Sequence, residues 1–261
     1  MLPAQLTLTA LPGLPLVRPG DDLAALIRAG LRAADLTLAT GDVLVLAQKI
    51  VSKAEGRLVR LADVTPSARA LELARITQKE ARFVEVVLSE SKEVLRARFN
   101  TLIVEHRLGF VCANAGVDRS NVGPHPGPHL DDEEMLLCLP LDPDGTCQRL
   151  RDRLRAETGA DIGVIINDSH GRAWRQGTVG VALGAAGLPA LLDLRGKPDL
   201  FDYALQITQV GLADELAAAA SALMGQADEG RPVIHLRGVP YPFREGNAQE
   251  LIRPKELDMF R

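Results

Sequence analysis

Aromatic residues make up only 3% of the 261 residues, cysteines number three, and neither sign of charge dominates. Each shortage excludes something. So few rings cannot build the stacking platforms that single-stranded bases need. A formal net charge of −4 has the wrong sign for a general nucleic-acid surface. Cys112, Cys138 and Cys147 are odd in number and lack C-x-x-C spacing, so they read as reduced core thiols of a cytoplasmic protein, not as a disulfide framework. No stretch approaches the ~18 uninterrupted apolar residues of a membrane span. The N-terminal MLPAQLTLTALPGLPLVRPGDD has neither the basic start nor the apolar run of a signal peptide. The common nucleotide and hydrolase signatures are missing too: no G-x-x-x-x-G-K-[ST], no G-x-G-x-x-G after a strand, no G-x-S-x-G elbow.

What remains is an ordinary globular composition, 46% hydrophobic, with strands and helices intermingled. Leu6 to Leu11 alternates like a strand. Leu23, Ile27 and Leu31 recur every four residues behind Asp21 or Asp22, the signature of a capped helix. Gly41 to Gly56 reads as a turn, a buried strand and a polar strand exit. Ser67 to Thr77 and Glu80 to Ser89 read as helices, and the apolar runs around Leu108 and Gly109 as a hairpin. A helix over Cys147 to Thr158 ends at Gly159. Strand Ile162 to Ile166 then runs into a polar turn, followed by a small-residue segment (Val179 to Leu188), a helix (Leu212 to Met224) and a strand (Val233 to Leu236). "LGAAG" (Leu183 to Gly187) reads as tight packing, and His106 and His235 as core or sheet-face residues. With no repeat and no clean linker, residues 1–261 form a single unit, or two intimate subdomains.

Four polar clusters each follow an apolar run: "QKIVSKAEG", "NAGVDRSN", "NDSHGR" and "LMGQADEG". Singly, none is specific. An Asp-Ser pair after a strand equally serves as a helix cap or an Asx-turn, and isolated lysines usually decorate a solvated edge. Together, two aspartates, a serine hydroxyl and a glutamine amide form a hard-oxygen set, which suits Mg²⁺ or Mn²⁺ better than Zn²⁺. Lys49, Lys53, Arg172 and Arg175 would neutralise phosphates beside it. The stretch "GPHPGPHLDDEE" (Gly123 to Glu134) holds His125 and His129 beside four acids, but its prolines and glycines favour a solvated acidic loop over a rigid metal site.

In order, "PGLPLV", "QKIVSKAEG", "NAGVDRSN", "LDPDG", "NDSHGRAWRQG" and "LMGQADEG" resemble the coenzyme F420-0:L-glutamate ligase family, from about Leu11 to Gly238. The resemblance implies an α+β, mixed-sheet fold peculiar to the family and an intertwined homodimer with its sites near the subunit interface. It implies a GTP-dependent amide-bond-forming ligase that adds L-glutamate to F420-0 through an acyl phosphate, giving F420-1 and longer γ-linked tails. Some members carry a fused nitroreductase-like domain; a chain ending at Arg261 is expected to be the stand-alone form. Leu14, Pro15, Leu16, Val17, Gln48, Lys49 and Lys53 fall at GTP contacts, as do Asn121 and, after the last helix, Met224, Gly225, Ala227, Asp228 and Gly230. Asp118, Asp168, Ser169 and Gln226 match ligands for Mg²⁺ or Mn²⁺, two ions per site, with K⁺ a further candidate. Serine at 169 replaces the family's usual threonine and keeps the hydroxyl. Asp168, Lys53, Arg172 and Arg175 are the candidate catalytic residues, the two arginines binding phosphate or a substrate carboxylate. His170 has no counterpart in this pattern. Two rivals stay open: a nucleotide-dependent ligase or kinase acting on another acceptor, and a non-catalytic GTP-binding protein.

Overall fold

Val43 to Leu46 is apolar at every position, the pattern of a strand covered on both faces, and each of the four side chains is fully buried. The computed structural model describes residues 4–123, 134–242 and 244–259. In chain order its elements are β1 (Thr7–Ala10), α1 (Leu23–Ala33), β2 (Val43–Ala47), α2 (Gln48–Ala54), β3 (Leu58–Arg60), α3 (Ala68–Thr77), α4 (Ala81–Ser89), β4 (Ser91–Arg98), β5 (Thr101–His106), β6 (Val111–Ala113), β7 (Met135–Leu137), α5 (Pro143–Thr158), β8 (Gly163–Arg172), β9 (Arg175–Ala186), β10 (Leu192–Asp193), β11 (Gln209–Val210), α6 (Leu212–Met224) and β12 (Val233–Arg237). Strands and helices are mixed and most strand pairs are antiparallel, an α+β arrangement. None of the described helices is long and apolar enough to cross a membrane.

The main sheet has the order β1-β12-β2-β8-β9. Only β2 and β8 run parallel within it. Alternation sorts their side chains. Leu44, Leu46, Val164 and Ile166 pack with Ile27 and Leu31 of α1 and Leu150 and Leu154 of α5. Val43, Val45 and Ile165 face the opposite way, onto Leu216, Ala217 and Ala220 of α6. A third apolar cluster joins Leu73 of α3 and Val84 and Val87 of α4 to Leu102 and Val104 of β5. Glu90 pins this layer, accepting hydrogen bonds from Arg57 at 2.7 Å and Arg107 at 2.8 Å.

The expected helices α1, α3, α4 and α6 and the hairpin β5–β6 are present, with Asp22 capping α1 and Ser67 capping α3. His106 and His235 are buried, as are the three free cysteines. Three elements differ from expectation. The polar exit after β2 is helical, because Ile50 and Val51 find core to bury against. Helix α5 starts at Pro143, a turn early, with Asp142 as its cap and proline at its first position, where no N–H is needed. Strand β8 does not end at Ile166 but carries the polar cluster outward to Arg172, paired with β9, which absorbs most of the small-residue segment. Most of the acidic stretch, including His125 and His129, lies outside the described residues.

The small residues of β9 are packing devices. A Cβ on Gly180 would stand 2.5 Å from the Ala217 carbonyl of α6 and 2.6 Å from Asn167 Oδ1, whereas one on Gly171 would meet nothing within 4 Å. Gly180→Ala is therefore expected to cost about 1–3 kcal/mol by overpacking, read as a lowered urea midpoint at unchanged slope. Gly171→Ala should stay within ~0.5 kcal/mol of the parent. Equal midpoints for the two variants would refute this account of the α6–β9 contact.

Candidate active site

Because β2 and β8 are parallel, the carboxyl end of β2 arrives beside the start of the polar half of β8, where Ala47 pairs with Asn167. Crevices at such strand ends are favoured ligand sites in α/β sheets. Helix α2 begins there without a break. Gln48, its first residue, is only 1% exposed, so its amide must find partners. Ser52, one turn on, donates Oγ–H to Gln48 Oε1 at 2.9 Å, which turns Nε2 to donate to Asp118 Oδ2 at 2.6 Å. Lys49 Nζ lies 3.4 Å from the same oxygen and donates to the Ser120 carbonyl (2.9 Å) and hydroxyl (3.2 Å). The Asp118 backbone is itself locked, exchanging two hydrogen bonds with Leu137 of β7 at 2.9 and 3.0 Å.

Burial pushes the Asp118 carboxyl up to about 6, and the negative charge of Asp168 adds to the rise while Lys49 opposes it. Two carboxylates far apart in the chain thus share one field. Lys53, one helical turn beyond Lys49, has its ammonium held below the usual lysine range by burial and by the charge of Lys49.

The polar half of β8 serves two directions, as strand alternation requires. Asp168 and His170 point the same way and are hydrogen-bonded, Oδ2 to Nε2, at 3.0 Å. The His170 ring rests against Phe110, centroids 5.6 Å apart, and Phe110 stacks on His106. On the opposite face Ser169 donates to Gln226 Oε1 at 2.8 Å, and Gln226 Nε2 donates to Ser221 Oγ at 3.1 Å. Asn121 donates to the Ala227 carbonyl at 2.8 Å, tying the turn after Asp118 to the chain leaving α6. There Gly225 takes φ 77°, with the Glu229 carboxylate standing where a Cβ would be, and Ala227 N–H donates to Glu229 at 2.9 Å.

The structure therefore brings Gln48, Lys49, Asp118 and Asp168 together at the end of the parallel pair, with Ser169 and Gln226 paired on the other face of β8 and Asn121 tied to Ala227 beside Gln226. Leu14, Pro15, Leu16 and Val17 precede a turn joined to the far end of α2, where Gly20 N–H donates to Ala54 at 2.9 Å. Val17 is buried there and Leu16 exposed. Asp228 and Gly230 lie exposed beyond α6. Arg172 and Arg175 are not in the cluster. They face each other across the exposed end of the β8–β9 hairpin, about 13 Å along the strand from Asp168 at ~3.3 Å per residue. Sequence reasoning missed Ser52, Ser120, Ser221 and Phe110, the residues that hold the others in place. Only Ser52 carried a legible signal, its four-residue spacing from Gln48, and that required α2 to be read as a helix.

Among the described residues no three His, Cys, Asp or Glu side chains gather at metal-holding distance. The set Asp118, Asp168, Ser169 and Gln226 contains only two carboxylates, complemented by a hydroxyl and an amide. That composition fits Mg²⁺ or Mn²⁺, which keep water and phosphate oxygens in their remaining positions. The raised carboxyl of Asp118 is what a divalent cation would relieve.

Residues 13–238 match the family described as F420-0:gamma-glutamyl ligase. The chain belongs to that family. A relative named Coenzyme F420:L-glutamate ligase, from Methanothermobacter thermautotrophicus, is 45% identical over 98% of this chain and 99% of its own length. Relatives of the same name from Methanopyrus kandleri (47%, over 94% of this chain and 93% of the relative) and Archaeoglobus fulgidus (45%, over 95% and 94%) are similar along nearly their whole lengths. The gathered cluster lies entirely within the part of the chain that matches the ligase family.

The Asp118–Asp168 coupling has a direct readout in carboxyl carbon shifts followed against pH in metal-free protein. Asp168→Asn should lower the Asp118 midpoint from about 6 toward the ordinary carboxylate range, and Lys49→Met should raise it. Because folding raises this pKa above 3.8, Asp118 by itself makes the metal-free protein less stable as pH rises from about 4 through about 6. An Asp118 midpoint indifferent to both substitutions would mean that the two carboxylates are not neighbours.

Proposed function

We propose that the protein is a GTP-dependent ligase that joins L-glutamate to coenzyme F420-0 through an acyl phosphate. The observation carrying this reading is the Asp118 carboxyl, raised by burial and by the charge of Asp168, beside Lys49 and Lys53 at the end of the parallel strands. The names of the relatives supply the two substrates. A free carboxylate is a poor acyl donor, because its oxygen would leave as oxide. In the first step a carboxylate oxygen of F420-0 attacks the γ-phosphorus of GTP, the bond to the bridging oxygen breaks, and GDP departs. In the second, the glutamate amine attacks the acyl carbon, the carbon–oxygen bond to phosphate breaks, and inorganic phosphate leaves as the amide nitrogen loses a proton.

Lys49 and Lys53 bind and neutralise the phosphates, Lys53 reaching them from a half-buried stem that favours an anionic neighbour. Gln48 and Ser52 keep Asp118 in one orientation, and His170 does the same for Asp168. Asp118, Asp168, Ser169 and Gln226 would hold Mg²⁺ or Mn²⁺, which supplies charge neutralisation across the phosphates. Asn121 and the Met224 to Gly230 segment line the nucleotide. Arg172 and Arg175 serve a phosphate or carboxylate reaching the hairpin end, and K⁺ is a further candidate ion.

We also propose a cytoplasmic homodimer. The hairpin tip exposes Trp174 (79%), and the 194–208 segment exposes Leu200 (96%), Phe201 (89%) and Ile207 (87%), large apolar side chains left in solvent. A second copy covering them accounts for that exposure.

Purified protein incubated with GTP, Mg²⁺ or Mn²⁺, L-glutamate and F420-0 should yield a product heavier by one or more glutamyl units, with GDP in step. Asp168→Ala should lower the rate at least about 100-fold, the scale of losing a preorganised charge partner. GDP without glutamyl product would redirect the reading to another acceptor, and GTP binding without either product would end the catalytic one. Light scattering after size exclusion should give twice the chain mass, and Phe201→Asp should return it to one.

A further inference from the structure

On the far side of His170 from Asp168 lies a cavity of about 270 Å³. Its walls are the turn carrying Phe110, the open edge of β9 at Val181 to Leu183, the start of α6 at Asp214, and the chain from Ala248 to Asp258. That last wall lies beyond residue 238, where the family match ends. It is nonetheless well anchored. Lys255 Nζ donates to Glu105 at 2.7 Å and Glu93 at 3.2 Å, Gln249 donates to the Leu108 carbonyl at 3.3 Å, and Arg244 pairs with Glu250 at 2.6 Å.

The charged groups of the lining are specific. Arg253 makes no hydrogen bond or ion pair among the described residues, so its fork is unengaged at the cavity wall. Asp214 accepts from the Ala182 N–H at 2.9 Å through Oδ1, which fixes the carboxylate and leaves Oδ2 without a partner among the described residues. Burial holds the Asp214 carboxyl above the usual range, against the opposing pull of the Ala182 N–H and of His170. Phe110, Val181, Leu183 and Ile252 complete an apolar floor. The Arg253 guanidinium and the open oxygen of Asp214, with Asp258 as a further acid of the lining, stand over apolar walls and complement an α-carboxylate, an α-ammonium and a methylene chain.

We propose that this cavity is the amino-acid subsite, with Arg253 binding a carboxylate and Asp214 the ammonium of the incoming α-amino acid. The inference rests on the ligase reading for the fate of that amino acid, but not for its binding. His170, shared by the cavity wall and the Asp168 hydrogen bond, puts the bound amine one imidazole away from the candidate metal ligands. Arg253 and Asp214 are specificity residues here, and the wall that carries Arg253 is the part of the chain outside the family match.

The test pairs a binding readout with a kinetic one. Saturation-transfer NMR on the full chain with L-glutamate should show transfer to the methylene protons. Transfer should be lost in Arg253→Gln and in Asp214→Asn, whose amide oxygen still accepts from Ala182. In the ligase assay both variants should raise KM for L-glutamate roughly 10- to 100-fold, the scale of one charge-assisted hydrogen bond, with KM for GTP unchanged and Arg253→Lys intermediate. Wild-type KM and transfer in both variants would overturn the subsite while leaving the ligase intact. Transfer that the variants abolish, with no ligation by the parent, would uphold the subsite and reject the ligase. Absence of both transfer and ligation in the parent would reject the subsite as well.

Discussion

The parallel pairing of β2 with β8 is the constraint on which the rest of the molecule depends. Strand β2 and the first half of β8 are apolar on both faces, so each must be covered twice, and α1 with α5 on one side and α6 on the other do the covering. Parallel pairing also sets where β2 stops along β8. Once Val43 is set against Gly163, Ala47 arrives beside Asn167, and the polar residues that follow in each segment are neighbours without further design. The glycines of β9 belong to the same constraint, since Gly180 and Gly184 let α6 and the start of α5 approach a strand that must stay close to β8.

At this strand end, polarity is handled by pairing and not by exposure to water. Gln48 and Asp118 are each placed where an unsatisfied group would be costly, and each answers the other. Ser52 completes the amide, Leu137 holds the Asp118 backbone, and Lys49 supplies the countercharge. Asp168 has His170 as its hydrogen-bond partner. The nearness of its charge to Asp118 is the electrostatic feature on which the proposed cation-assisted phosphate chemistry rests.

Two peripheral segments extend the site in different ways. The β8–β9 hairpin and the 194–208 segment carry apolar side chains into solvent, a surface that a second copy would cover. The chain after Arg237 folds back over β4 and β5, held by lysine and arginine ion pairs, and closes a cavity against His170. Each segment places arginines outside the cluster, Arg172 and Arg175 at the hairpin end and Arg253 at the cavity wall.

Much of this was legible in the sequence. Helices α1, α3, α4 and α6, strand β12 and the β5–β6 hairpin follow from periodicity, caps and turn residues, because those signals act over a few neighbouring residues. The family followed from six short motifs in order, and the carboxylates, lysines and amide of the cluster from the same motifs. Sequence did not decide that α2 is a helix, that β8 runs on through Asp168 and Ser169, or that Arg172 and Arg175 stand apart from the aspartates. Those outcomes depend on what each segment finds to bury against or pair with: core for Ile50 and Val51, and β9 for the polar half of β8. Nor could local pattern bring His170, Asp214 and Arg253 to one cavity. The amino-acid order thus determined the elements, the family and the chemical inventory. Only the tertiary structure decided which groups share a field, because charge and burial act through space and the residues concerned are distant along the chain.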